Sequence, residues 1–313
     1  VGELTVRFNL RSPWGAGLNM LADRGGVMNS PARVLELAKD YSWAPAGTGP
    51  FKVNKVITGT MVHLVRNENY WGRDEHGNSL PYLDEVTIRV IRDETVLSSA
   101  LRTGEVDVAY LPKKDVSAFQ RDERFQIRTM EGGGIGAALI FNLAQIADPN
   151  LRLAISHAVD PSVINQAIFF NRNTMADSGM WPTGAWAHDD DVTRPTYDPE
   201  KARALLLAAG KDEFTFTAVT NNSSTLILTA EVVRAMLKKV GINMEIEVMN
   251  AGVATERFFH GESYPVYLTT WSRYPEPDWL ASLAYKSDGF YNAANLPRPD
   301  VDELVARGAA SYD

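Results

Sequence analysis

The sequence predicts an α/β protein in two parts, on three observations. Its 313 residues, 45% of them hydrophobic, exceed what one core fills, since single cores stop growing near ~250 residues. In the second half, helical patterns alternate with short apolar runs, the arrangement of a sheet covered by helices. Between the halves lies "EGGGIGAALIFN" (131–142), whose glycines run straight into an apolar strand. Glycine absorbs changes in φ and ψ without steric cost, so Gly132, Gly133, Gly134 and Gly136 are the expected hinge. A strand-rich lobe, 1–136, precedes it and a helix-rich lobe, 137–313, comes after.

The first lobe starts with "VGELTVRFNL", an alternation of Leu4, Val6, Phe8 and Leu10 that reads as the middle of a strand. The stretch "AGTGPFKV" (46–53) uses the vocabulary of a phosphate loop but not its spacing. Only Thr48 separates Gly47 from Gly49, and Pro50 removes an N–H that an anion needs. The adjoining "FKVNKVITGTMVHLVRN" is strand, hairpin, strand. "VTIRVIRD" is a third strand, after the turn-rich "GRDEHGNSLPY". In "DETVLSSALRTGEVDVAYL", Asp93 caps a helix over 94–102, Gly104 ends it, and Val106 and Val108 begin another strand.

Helical signals are plainer in the second lobe. "NLRLAISHAV" is stopped by Asp160 and Pro161, which cap and start the next helix. "YDPEKARALLLAAG" combines Asp198 at the N-cap, Pro199 at N1, an apolar stripe of Ala202, Leu205, Leu206 and Ala209, and Gly210 beyond the end. The strand "FTFTAV" comes next. A helix with Val233, Met236, Leu237 and Val240 apolar then leads through Gly241 to the strand "INMEIEVM". The closing "VDELVARGAASYD" is helical and looks unfinished.

Composition excludes several classes. A net charge of −8, with no Lys/Arg run longer than two residues, argues against nucleic-acid or anionic-membrane partners. The chain has 0 cysteines, which removes disulfides, zinc–thiolate sites and thiol catalysis. His63, His76, His157, His188 and His260 show no metal-binding spacing, and the "HDDD" run at 188–191 lacks the alternating ligands and central glycine of a calcium loop. No metal or cofactor is expected.

Aromatic side chains in loops carry the positive signal. "GMWPTGAWAHDD" holds Trp181 and Trp186, while "TTWSRYPEPDW" holds Trp271, Ser272, Arg273 and Tyr274 directly after the strand-like "YPVYLTT". Flat aromatic faces beside hydrogen-bonding groups line small-molecule pockets, and loops after strands are where such pockets form. These six residues, with Asn142 at the end of the apolar strand, are the candidate ligand-binding set.

Taken in order, "GTGPFKV", "LVRNENYWG" with "LPYLDEVTIRVIRD", "ALRTGEVDVAYL", "FNLAQIADPNLRLAISHAVDPSVI" and "YDPEKARALLLAAG" with "KKVGINMEIE" resemble the family 5 extracellular solute-binding proteins of ABC importers. That group handles peptides, opines, nickel and oligosaccharides. The resemblance covers essentially the whole chain and implies a two-lobed, type II periplasmic-binding-protein-like clamp. This chain is expected to be part of it, without the early segment that carries signal peptide and extra domain and without the C-terminal stretch that crosses back. By this resemblance GTGPF is a turn that sets the strand-rich lobe, and the Asn69-Tyr70-Trp71 segment packs against it.

The implied function is capture of a small polar solute, oligosaccharide, opine-like or peptide-like, for delivery to permease subunits, with no turnover. A monomer in the periplasm or outside the cell, lipid-anchored in some relatives' manner, is implied too. Peptide-binding relatives carry an aspartate after the tryptophan that pairs with the peptide ammonium. Here Arg273 and Tyr274 stand at those positions, and the first acid is Glu276. A guanidinium repels an ammonium and accepts a carboxylate or a sugar hydroxyl. The competing readings are a carbohydrate-active hydrolase with a carboxylate pair and a structural or sensory module.

Overall fold

The structure is a computed structural model and describes residues 5–129, 134–174, 181, 186–261, 264–272, 276–294 and 296–311. The chain divides into two compact units, Leu18–Phe125 and the combination of Val1–Gly17 with Gln126–Asp313. The sequence expects the division after 136; by contacts it falls after Phe125, and the first residues join the larger unit. Their attachment is local and specific: the Gly15 N–H donates to the Ala309 carbonyl at 2.8 Å. A Cβ on Gly15 would overlap the Ser311 carbonyl, so only glycine permits this approach.

The smaller unit contains all but the first residue of α1 (Gly17–Ala22), together with α2 (Pro31–Leu37), β1 (Phe51–Ile57), β2 (Met61–Arg66), β3 (Glu85–Arg89), α3 (Glu94–Thr103) and α4 (Val116–Gln120). Its three strands form an antiparallel sheet in the order β1-β2-β3. The expected hairpin is there, with Gly59 at φ 71° in its turn. The GTGPF loop is tied to protein: Asn67 Nδ2 donates to the Gly49 carbonyl and Asn67 N–H to the Pro50 carbonyl, both at 2.9 Å. Asp93 caps α3 through the N–H groups of Thr95 and Val96 at 2.8 and 2.9 Å, and Gly104 closes it at φ 78°. The strand expected from Val106 does not form. Val108 and Tyr110 are 89% and 92% exposed, because alternation yields a strand only where a neighbour completes the hydrogen-bond ladder. For the same reason residues 5–10 are irregular, with Val6, Phe8 and Leu10 exposed.

The larger unit runs β4 (Gly134–Phe141), α5 (Pro149–Ala158), α6 (Pro161–Phe169), α7 (Pro199–Ala208), β5 (Phe214–Asn221), α8 (Ser224–Lys238), β6 (Ile242–Met249), α9 (Ala251–Phe259), β7 (Val266–Ser272), α10 (Pro277–Leu280) and α11 (Pro299–Ala309). Three helices start on the same Asp-Pro device: Asp148, Asp160 and Asp198 accept from N–H groups of the first turns of α5, α6 and α7 at 2.8, 2.9 and 2.9 Å. Gly210 and Gly241, at φ 73° and 89°, come just after α7 and α8.

The sheet order is β4-β7-β5-β6, with β5 parallel to both neighbours and β4 antiparallel to β7. Helix α8 joins β5 to its neighbour β6, and α9 carries the chain from β6 past β5 to β7. Alternation along the strands then builds two cores. Phe216, Ala218, Ile242, Met244, Val266 and Leu268 pack with α5, α7 and α8 on one face. Val219 and Tyr267 pack with Ala254, Phe258 and Phe259 of α9 in the other cluster. The central strand β5 is buried most fully toward its carboxyl end, whereas the edge strand β6 keeps Glu245 and Glu247 at exposed positions of its alternation. Among the described residues no helix is long and apolar enough to cross a membrane.

Candidate functional site

In open α/β sheets, ligands bind beyond the carboxyl ends of the parallel strands. Here that edge is formed by the ends of β5, β6 and β7. Strand β5 pairs with β7 only through Ala218↔Val266, Val219↔Tyr267 and Thr220↔Leu268. Among the described residues β7 runs on beyond this pairing, and its end is matched only by β4, through Ala138↔Thr269, Ile135↔Trp271 and Gly134↔Ser272. The last residues of β7 therefore form a strand edge open toward the β5–α8 turn. That turn is shaped by Asn221, whose Oδ1 accepts from the Ser223 N–H at 3.0 Å. An open strand edge offers alternating N–H and C=O groups to a polar partner.

Trp271 and Ser272 lie on this edge, the first half-buried and the second exposed. The indole meets Tyr291 edge-on at 5.1 Å and 77°, and Phe259 at 6.3 Å and 76°. Its Nε1 is buried without a hydrogen-bond partner among the described residues. Arg273 and Tyr274 lie outside the described residues, as do Gly132 and Gly133. Gly134 opens β4, and Gly136 has a packing role of its own: a Cβ there would sit 2.6 Å from Asn173 Nδ2. Glu276, the first acid after the tryptophan, is buried and precedes α10.

Asn142 is 2% exposed, and its amide serves the protein. Oδ1 accepts from the N–H groups of Ala144 and Gln145 at 3.0 and 3.3 Å, and Nδ2 donates to the Ala293 carbonyl at 3.4 Å. It ends β4 and ties down the loop that carries Tyr291. Trp181 and Trp186 belong to the segment between α6 and α7. The Trp181 carbonyl accepts from His188 Nδ1 at 2.9 Å, and Trp186 is 67% exposed. His188 Nε2 also lies 3.0 Å from a carboxylate oxygen of Asp190, which gives the acidic run a role in loop structure. Among the described residues no group of His, Asp and Glu is placed to hold a metal ion.

Sequence reading missed Tyr291 and Phe259. A signal for Tyr291 existed, since "SDGFYNAANLP" sets two aromatics in a Gly/Asn-rich loop much as the tryptophan loops do. Phe259 resembles any core residue of an amphipathic helix. Elsewhere on this unit, a concavity of about 420 Å³ lined by Glu231, Arg234, Lys238 and Asn243 lies at the other end of the sheet, where α8 finishes and β6 begins. It is remote from the carboxyl edge, and Arg234 there is paired with Glu231.

The family model for bacterial extracellular solute-binding proteins, family 5 Middle, matches residues 1–292. The glutathione-binding protein GsiB of Escherichia coli K12 is 27% identical over 329 residues, an alignment covering 100% of this chain and 62% of GsiB. The periplasmic binding protein DppA of Helicobacter pylori, solved with the peptide STSA, superposes with a TM-score of 0.84 at 25% identity, over 98% of this chain and 61% of DppA. The periplasmic binding protein AgaA of A. tumefaciens R10, solved with agropinic acid, gives a TM-score of 0.82 at 24% identity, over 97% of this chain and 62% of AgaA. Identity at that last level speaks for the fold alone. The chain spans about 62% of the length of the curated relatives it matches.

Proposed function

The chain belongs to family 5 of the bacterial extracellular solute-binding proteins, and from that premise we propose that it captures a small polar solute and presents it to the permease of an ABC importer. It binds reversibly and converts nothing. The observation that carries this reading is the open end of β7, where Trp271 and Ser272 stand at the carboxyl edge of a parallel sheet. Similarity to a glutathione-binding protein and to a protein solved with a peptide supports a small solute rich in hydrogen-bonding groups. Arg273 and Tyr274, next in sequence, complete the contact set, and Arg273 favours a carboxylate or hydroxyl over an ammonium. Trp181 and Trp186 supply a second aromatic loop. The glycines entering β4 give the hinge, and the place of work is the periplasm or cell exterior.

Calorimetry with reduced glutathione, the peptide Ser-Thr-Ser-Ala and agropinic acid tests the proposal, with the mixtures analysed afterwards for products. Saturable binding of one of them without conversion is expected, weakened by Arg273→Asp when the bound group is anionic. Failure of all three to bind, or the appearance of a hydrolysis product, overturns it.

A further inference from the structure

Among the described residues, Trp271 is the one side chain at the β7 edge large enough to cover a ligand group, and its polar atom is not on offer. Nε1 is sealed from solvent and unpartnered among those residues, so whatever side-chain surface remains accessible is carbon. With no hydrogen bond to orient the indole, ring contacts do it. Tyr291 and Phe259 both meet it edge-on, and they meet each other at 5.0 Å and 62°, closing a triangle of aromatic rings. Tyr291 is itself fixed: its N–H donates to the Leu283 carbonyl at 2.7 Å, and Phe290 packs against its ring at 5.0 Å and 85°. Asn142 holds the same loop two residues on, at Ala293.

We infer that Tyr291 is the positioning residue for Trp271, and that Trp271 selects its ligand through a carbon face. The group that docks there is flat or apolar, even on a solute that is polar elsewhere. This rests on the reading of the β7 end as the ligand site. Hydrogen bonding to the ligand falls to the strand edge and its neighbours, not to the indole N–H.

The test measures affinity, by calorimetry, for whichever of reduced glutathione, Ser-Thr-Ser-Ala and agropinic acid the protein binds most tightly. Trp271→Phe keeps a carbon face and should lose about threefold, whereas Trp271→Ala should lose about tenfold or more. Tyr291→Leu should lose roughly five- to tenfold, Tyr291→Phe should restore most of that, and Tyr291→Leu should add nothing in the Trp271→Ala background. A merely structural Tyr291 would instead weaken binding equally in both backgrounds, which overturns the positioning role. Trp271→Phe binding as poorly as Trp271→Ala shows the N–H in use and overturns the carbon-face assignment, whether or not Tyr291→Leu folds. If the protein binds a probe and no variant changes its affinity, this inference fails while the proposed function stands. If none of the three probes binds, both fail.

Discussion

The two units of the chain are stabilised by different means. In the larger, a sheet covered on both faces buries an extended aliphatic cluster on one side and an aromatic one on the other. In the smaller, the buried residues are few: Ala100 and Phe119 among the hydrophobic, Asn67 and Ser98 among the polar. Its form rests on local polar ties. Ser98 Oγ donates to Asp115 at 2.6 Å, and the Asp74 carboxylate gathers the Asn78 amide at 2.8 Å and the Tyr82 hydroxyl at 2.6 Å. Apolar burial is the dominant favourable term in folding, so the larger unit is the rigid frame and the smaller opens more readily. The candidate site is built on the frame, which is where positional accuracy is available.

The strongest test of this contrast is Leu237→Ala. Leu237 is fully buried where α8 meets the sheet, and its truncation should cost about 2–5 kcal/mol in denaturant unfolding. A loss below about 1 kcal/mol would break the picture of a tightly packed frame.

In the smaller unit, Ser98→Ala leaves Asp115 without its hydroxyl donor and should cost about 1–3 kcal/mol, less than the frame substitution. If it costs more than Leu237→Ala, the ranking of the two units is reversed.

Asp198→Ala refines the frame's side of the comparison. It removes the carboxylate that accepts from Lys201 N–H at 2.9 Å and should lower stability by about 1 kcal/mol, a capping effect smaller than core burial. Asp198→Ser should recover most of it.

The smallest effect concerns Asp74. Hydrogen bonds from Tyr82 first, and then Asn78, hold its carboxyl at about 2, below the ordinary value of 3.8. A depressed carboxyl pKa contributes stability above the unfolded value, and that contribution is lost as the pH falls through the folded one. The turn around residues 74–82 should therefore loosen between about pH 4 and pH 2, as monitored by the backbone amide resonances of His76 and Asn78. Asp74→Asn should abolish this pH dependence. A midpoint for Asp74 at the ordinary carboxylate value would mean the turn is not closed in solution.

Much of the fold was legible where the deciding interactions are local. The Asp-Pro starts of α6 and α7, the glycines after α3, α7 and α8, and the buried stripe of Ala202 and Leu206 all lie within one or two turns of what they control. For the loop at residues 46–53 the strand that follows was legible, and Asn67 supplies what the sequence lacked, the partner that holds Gly49 and Pro50. The site was legible only in part. The sequence set Trp271 and Ser272 in a loop after a strand, whereas both lie within β7, and Asn142, grouped with them, proves to be a buried tie between β4 and the Tyr291 loop.

By itself the sequence determined α3, α5 to α8 and α11 with their apolar faces, because capping and periodicity act between residues a few positions apart, whereas the short α1, α2, α4 and α10 and the helix α9 were not read from it. It also determined the family, through motifs spread along the whole chain. Only the tertiary structure decided that the alternating segment after Val106 stays unpaired, that β7 outruns β5, and that Phe259 and Tyr291 enclose Trp271. Each of those depends on which distant segments become neighbours, and a strand edge or an aromatic contact exists only once the sheet order has brought its partners together.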